Sequence, residues 1–137
     1  MRTLQPVVIV RGLLRAVDSR DFQALDSYVT DDVYFRFGNN NPTNTKADFA
    51  ATMHPFLRGI GAIRHEVTEM WELPEGSVVA TMDVHYTRLD RHQLILPCCN
   101  VFRIRDGLVY DYRIYMDVNP VVAPVYPTPV PKPASAL

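Results

Sequence analysis

Residues 96–120, LPCCNVFRIRDGLVYDYRIYMDVNP, constrain this chain more than any other stretch. Two arms rich in β-branched and aromatic side chains flank Arg105-Asp106-Gly107. Such side chains pack well on a pleated, half-buried surface, so the stretch reads as a long β-hairpin. The turn decides which side chains share a face. A three-residue loop with Gly107 in the left-handed position of a bulged turn sets Ile104 opposite Leu108, Asn100 opposite Tyr112, Cys98 opposite Ile114 and Leu96 opposite Met116. A two-residue Asp-Gly turn would instead flip one arm relative to the other. The three-residue loop is preferred because it sets apolar residues opposite apolar ones. Leu96, Cys98, Asn100, Phe102, Ile104, Tyr110, Tyr112, Ile114 and Met116 then face inward, and Arg103, Asp111, Arg113, Tyr115 and Asp117 face out. A single amide, that of Asn100, stands in the inward face.

The 137 residues suit one domain, burying about two thirds of the surface its unfolded chain exposes. With 14 basic and 15 acidic side chains the net charge is -1, so no pull toward nucleic acid or an anionic membrane is expected. The apolar run at 7–10 is far too short for a membrane span or a signal peptide, and a soluble cytoplasmic protein is the expectation. Cys98 and Cys99 are adjacent on a strand and point to opposite faces, which suits neither a mutual disulfide nor a zinc ligand pair. Free thiols fit a reducing compartment.

Before the hairpin, Val10, Leu13, Leu14 and Val17 recur at helical spacing, with Pro6 suited to a first turn. Asp18-Ser19-Arg20-Asp21 breaks that pattern, and Asp21 caps a second short helix carrying Phe22, Leu25 and Val29 on its inward side. After a turn at Thr30-Asp31-Asp32, residues 33–37 alternate as a short strand with Phe35 and Phe37 on one face. Thr45 caps a third helix in which Phe49, Met53, Phe56 and Leu57 share a side. Residues 63–72 and 78–87, joined at Pro74-Glu75-Gly76, read as another hairpin. In its second arm Ala80, Met82, Val84 and Tyr86 alternate with polar residues. From Pro120 the chain carries six of its 11 prolines, a composition that favours extended polyproline conformation. The expected division is thus a domain over residues 1–119 and a proline-rich tail over 120–137.

That element order, with Tyr28-Val29-Thr30-Asp31-Asp32-Val33 after a short second helix and Tyr112-Arg113-Ile114-Tyr115-Met116-Asp117 at the close, resembles the nuclear transport factor 2-like superfamily. It is most similar to the SnoaL-like branch, with polyketide cyclases, limonene epoxide hydrolase, scytalone dehydratase and ketosteroid isomerase. The resemblance implies an α+β conical barrel: a curved antiparallel sheet wrapped around three N-terminal helices, with a pocket between them and a homodimer formed through the outer face of the sheet. It covers about residues 6–119. Where a ketosteroid isomerase has its helix tyrosine, its general-base aspartate and its protonated aspartic acid, this chain has Leu13, Phe37 and Asn100, so isomerisation by that mechanism is not expected. Ile114 stands where limonene epoxide hydrolase and the polyketide cyclase carry an inward acid. His65 matches the histidine that scytalone dehydratase carries on the strand after the third helix, although that enzyme's inward tyrosine falls on Phe37.

His65 is therefore the leading candidate for proton transfer: if Val67 and Trp71 face inward, so does His65, and a neutral imidazole in an apolar pocket is a general base near neutral pH. The alternative is a core histidine bonded to a neighbour. Asn100 can hold a carbonyl or hydroxyl oxygen through its amide, or else be satisfied by Tyr86 or Tyr112. Tyr86 and Tyr112 add hydroxyls to the wall. The expected lining is Phe35, Phe37, Met53, Trp71, Met82, Cys98, Phe102, Ile114 and Met116. The four histidines lack a metal-ligand spacing, and neither a phosphate cradle nor a nucleophile elbow is present. The sequence thus points to a cofactor-free lyase, isomerase or cyclase acting on a polyketide-, terpenoid- or steroid-like molecule. Its rivals are a non-catalytic binding module of the same fold and an accessory domain whose tail docks a partner.

Overall fold

The computed structural model describes residues 4–124. In chain order the elements are α1 (Pro6–Ser19), α2 (Phe22–Ser27), β1 (Val29–Phe37), α3 (Lys46–Arg58), β2 (Ile60–Glu72), β3 (Val78–Arg88), β4 (Gln93–Arg105), β5 (Leu108–Tyr115) and a short α4 (Asn119–Val122). The strands form one open sheet in the order β1-β5-β4-β3-β2. The expected α+β architecture of three helices and a curved sheet is present. One pairing departs from a purely antiparallel sheet: β1 runs parallel to β5, because the chain leaves β1, crosses through α3 and returns by meander from the far edge.

The helix starts follow local chemistry. Asp21 accepts from the Ala24 amide at 3.1 Å and Thr45 accepts from the Asp48 amide at 3.1 Å, each satisfying a donor that the first turn of a helix leaves free. In α1 the stripe Ile9, Val10, Leu13, Leu14 and Val17 is buried against the sheet. Beneath it Phe35, Phe49, Phe102 and Tyr112 form an aromatic cluster with centroids 4.8–5.3 Å apart along its chain of contacts. Each such buried apolar side chain contributes about 1.5–3 kcal/mol. Gly12 lets α1 lie against Tyr28: a Cβ there would stand 2.2 Å from the tyrosine oxygen.

Three differences from the sequence reading concern strand register. The final hairpin turns on two residues, with Asp106 (φ 53°) and Gly107 (φ 78°) both left-handed and Arg105 paired with Leu108, as a primed two-residue turn requires. A bulge then lets Ile104 pair with Val109 and Arg103 with Asp111, leaving Tyr110 unpaired. Asn100 consequently faces Ile114, and Phe102 faces Tyr112. The total slip from the expected register is two residues, so Cys98, Asn100, Phe102, Tyr112 and Ile114 keep the inward side while Val109 replaces Tyr110 there.

In β2, a bulge between Val67 and Glu69 adds one residue and exchanges faces beyond it. Met70 packs against the core, while Trp71, expected inward, pairs with Val79 on the outer face and is 44% exposed. In addition, β1 begins at Val29 with a register irregularity through the expected Thr30-Asp31-Asp32 turn.

Pro120 stands in the first turn of α4, where Val121 is buried and Arg88 donates to the Pro120 carbonyl at 2.9 Å, so the expected extended tail does not begin there. The rest of the proline-rich tail, 125–137, lies outside the described residues. Among the described residues no helix is long and apolar enough to cross a membrane.

Candidate active site

Between α1, α3 and the inward face of the sheet lies a narrow cavity lined by His65, Tyr86, Asn100 and Tyr112 together with Phe37, Met53, Cys98, Ile114 and Met116. All four residues expected to carry chemistry therefore meet in one place. Val17, Phe56, Ile63 and Val84 complete the wall, and helical and strand periodicity had placed them on core-facing sides without distinguishing cavity from core. Four expected lining residues do not reach it. Phe35 and Phe102 are packed in the aromatic cluster beneath, Met82 is buried beside Cys98 without lining the cavity, and Trp71 is on the surface. Only about 20 Å³ is open to the centre of a water molecule, which is room for roughly one water.

The arrangement around His65 is built from two segments far apart in the chain. β2 is an edge strand, so alternate backbone N–H groups lack a strand partner. The last turn of α1 supplies one: Asp18 Oδ2 accepts the His65 backbone N–H at 3.0 Å, and Oδ1 accepts from the ring Nδ1 at 2.5 Å. Arg20 locks the same junction. In the left-handed conformation (φ 53°) at the end of α1, it donates from Nη1 to the Ile60 carbonyl and from Nη2 to the Gly61 carbonyl, each at 2.8 Å. The His65 side chain is 8% exposed and that of Asp18 is 26% exposed, opening to a groove that also holds Arg11 and Arg15.

A carboxylate only accepts, so Nδ1 of His65 carries the hydrogen, and whenever the ring is neutral Nε2 is a bare acceptor. Asp18 was not singled out by sequence. Its signal was weak: an acid one residue beyond Val17, in a segment read as a helix break.

The amide of Asn100 is oriented by its neighbour. Burial, with Cys99 adding to it, pushes the Cys98 thiol up to about 12, so it remains protonated and donates to Asn100 Oδ1 at 3.1 Å. Asn100 is 1% exposed, and its Nδ2 has no partner among the described residues. Neither tyrosine satisfies it, contrary to the simpler expectation. Burial holds both the Tyr86 and the Tyr112 hydroxyl well above the ordinary tyrosine value, with smaller contributions from nearby Cys98 and Asp18. Both stay neutral; Tyr86 makes one weak bond, to Met116 Sδ at 3.7 Å.

Other charged groups are paired with one another away from the cavity, Asp111 itself being buried. Arg113 donates to both oxygens of Asp111 at 2.9 and 3.1 Å and stacks over Tyr34, while His85 bonds Glu66 and His54 bonds Asp26, each at 2.8 Å. Among the described residues, no three His, Cys, Asp or Glu side chains converge as metal ligands would.

A family model for the SnoaL-like domain matches residues 10–112. The chain belongs to the SnoaL-like family. Solved structures with the same fold agree. A proposed polyketide cyclase from Pseudomonas putida KT2440 is 20% identical, over 85% of this chain and 94% of that one, with a TM-score of 0.74. An LEH-like epoxide hydrolase of M. tuberculosis is 17% identical, over 85% of each chain, with a TM-score of 0.72. An NTF2-like protein of unknown function from Burkholderia pseudomallei K96243 is 16% identical, over 90% of this chain and all of that one, with a TM-score of 0.77. No curated protein matches this SnoaL-like chain by sequence.

Proposed function

We propose that this SnoaL-like protein is an enzyme that moves a proton on a small, largely hydrophobic molecule without a cofactor, in a step of lyase, isomerase or cyclase type. The observation that carries the reading is the Asp18–His65 pair set in the wall of an otherwise apolar cavity. His65 Nε2 acts as base and then acid, Asp18 holds the ring and balances the imidazolium, and Asn100 with Tyr86 or Tyr112 orients a polar group of the substrate. A polyketide-, terpenoid- or steroid-like ligand suits the lining. It enters by displacing the flexible Met53 and Met116 side chains and Phe56, since the narrow cavity has room for about one water.

The protein acts in the cytoplasm as a homodimer, joined through the outer sheet face where Ile95, Tyr115 and Trp71 are 61%, 55% and 44% exposed. Native mass spectrometry of the purified protein identifies the bound ligand class, and turnover of that compound is then compared in wild type and His65→Gln. Proton transfer predicts a loss of about a hundredfold or more; a fully active His65→Gln protein removes His65 from the chemistry.

A second reading, a non-catalytic binding module, is favoured by the tight cavity and by hydrocarbon at Phe37 and Ile114, where related enzymes carry reactive groups. It predicts unchanged ligand retention in His65→Gln and no turnover in either protein.

A further inference from the structure

We propose that the cavity is built to hold one hydroxyl-type oxygen between the Asn100 amide and Nε2 of His65, supplied by water in the ligand-free protein or by an alcohol group of the substrate. This deepens the proton-transfer reading, on which its assignment of Nε2 rests, by naming the functional group that the site takes.

The argument is one of donors and acceptors. Asn100 is 1% exposed; its oxygen is engaged by the Cys98 thiol and its Nδ2 is unpartnered among the described residues. An unpaired buried donor is rare in folded proteins, because it forfeits the hydration that the unfolded chain enjoys. On the His65 ring, Nδ1 is turned to Asp18, which lies on the groove side and outside the cavity lining, so the opposite edge of the ring, bearing Nε2, is the edge left for the cavity. An unused donor and an unused acceptor thus line the same small space.

A carbonyl oxygen would satisfy the amide but oppose the lone pair of Nε2, and an N–H group would do the reverse. A hydroxyl does both, accepting from Nδ2 and donating to Nε2. The size agrees, since the roughly 20 Å³ open to water centres is about one water's worth. The neutral tyrosine hydroxyls of the wall add no charge that would select an ion instead.

Two measurements on the full chain test this and separate the two sources. A high-resolution crystal structure without ligand is expected to hold one oxygen about 2.7–3.2 Å from both Asn100 Nδ2 and His65 Nε2. NMR titration with cyclohexanol and cyclohexanone is expected to favour the alcohol by about tenfold or more, a preference lost in Asn100→Leu. A bound oxygen without alcohol preference assigns the site to water, and an alcohol preference with a dry cavity assigns it to substrate. A dry cavity together with equal binding of alcohol and ketone overturns the proposal, and because both tests use wild-type protein this does not depend on Asn100→Leu folding. The proton-transfer reading fails by a different result, full turnover in His65→Gln, which leaves the oxygen site standing.

Discussion

Replacing Asp18 by asparagine probes the site at its least replaceable contact. The carboxylate accepts twice from one residue, from the His65 backbone N–H at 3.0 Å and from ring Nδ1 at 2.5 Å. Asparagine has a single side-chain oxygen. If that oxygen keeps the backbone N–H, the new NH2 meets the Nδ1 hydrogen head on. The ring escapes by moving its proton to Nε2, so that Nδ1 accepts from the amide and the cavity-facing nitrogen changes from acceptor to donor. One hydrogen bond to a charged group, about 1.5–3 kcal/mol, is exchanged for a neutral one of about 0.5–1.5 kcal/mol. The net loss is about 1–2 kcal/mol, or roughly 3–8 °C in Tm for a chain of this size. A base lost to the wrong tautomer costs far more in rate, on the order of a hundredfold to ten-thousandfold. The assay is imidazole nitrogen NMR on 15N-histidine protein at about pH 8, where an ordinary histidine is neutral. Wild type is expected to show a protonated Nδ1 and a bare Nε2 for His65, and Asp18→Asn the reverse. An Asp18→Asn protein with the wild-type tautomer and unchanged Tm would refute the reasoning, because the carboxylate would then be neither holding the ring nor setting its proton.

Gly12→Ala places a Cβ 2.2 Å from Tyr28 Oη and 2.8 Å from Cζ; a loss of about 2 kcal/mol or more in urea unfolding is expected, partly recovered by adding Tyr28→Phe, and an unaltered midpoint would sink the steric account. Burial raises the Tyr86 and Tyr112 hydroxyls and the Cys98 thiol above their ordinary values of 10.0 and 9.0. The folded chain therefore holds these protons more tightly than the unfolded one. The stability involved is intact below about pH 9 and declines as pH rises toward 12, which thermal melts across that range will register. By the same burial, a Cys99→Ser protein, retaining Cys98, should resist thiol reagents at pH 8 until unfolded, whereas Cys98→Ser, retaining the partly exposed Cys99, should react. Ile95→Glu with Tyr115→Glu should convert the proposed dimer to monomer by light scattering with little change in Tm; a chain that is monomeric before substitution would dismiss that interface.

Much of the architecture was legible in the chain because it follows from local rules. Apolar spacing marked α1 and α3, Asp21 and Thr45 marked the starts of α2 and α3, and alternation set the inward faces of β3, β4 and β5. Those faces brought Asn100, Tyr86, Tyr112 and Cys98 to one side, and each of those four lines the cavity. The final hairpin shows how such a reading survives an error: the two-residue turn and the bulge together displace the partners by two, and beyond the bulge, which turns Tyr110 outward, a period of two leaves the faces alone. In β2 a single extra residue carried Trp71 to the surface instead. Sequence does not announce a bulge, because one inserted residue alters neither composition nor local propensity; its cost and benefit lie in how the strand bends against its neighbours.

Only the tertiary structure decided what the site contains. The Asp18–His65 bond joins residues 47 apart, and nothing near Asp18 distinguishes it from the other acids around the break between the first two helices. Cavity size is likewise a remainder, the space left after Phe37, Phe56, Tyr86 and Tyr112 have packed, and so depends on all of them at once. The unpaired Asn100 donor has the same origin. Sequence determined that an amide would face inward, by strand parity alone, whereas folding determined that the Cys98 thiol would take its oxygen and that no group among the described residues would take its nitrogen.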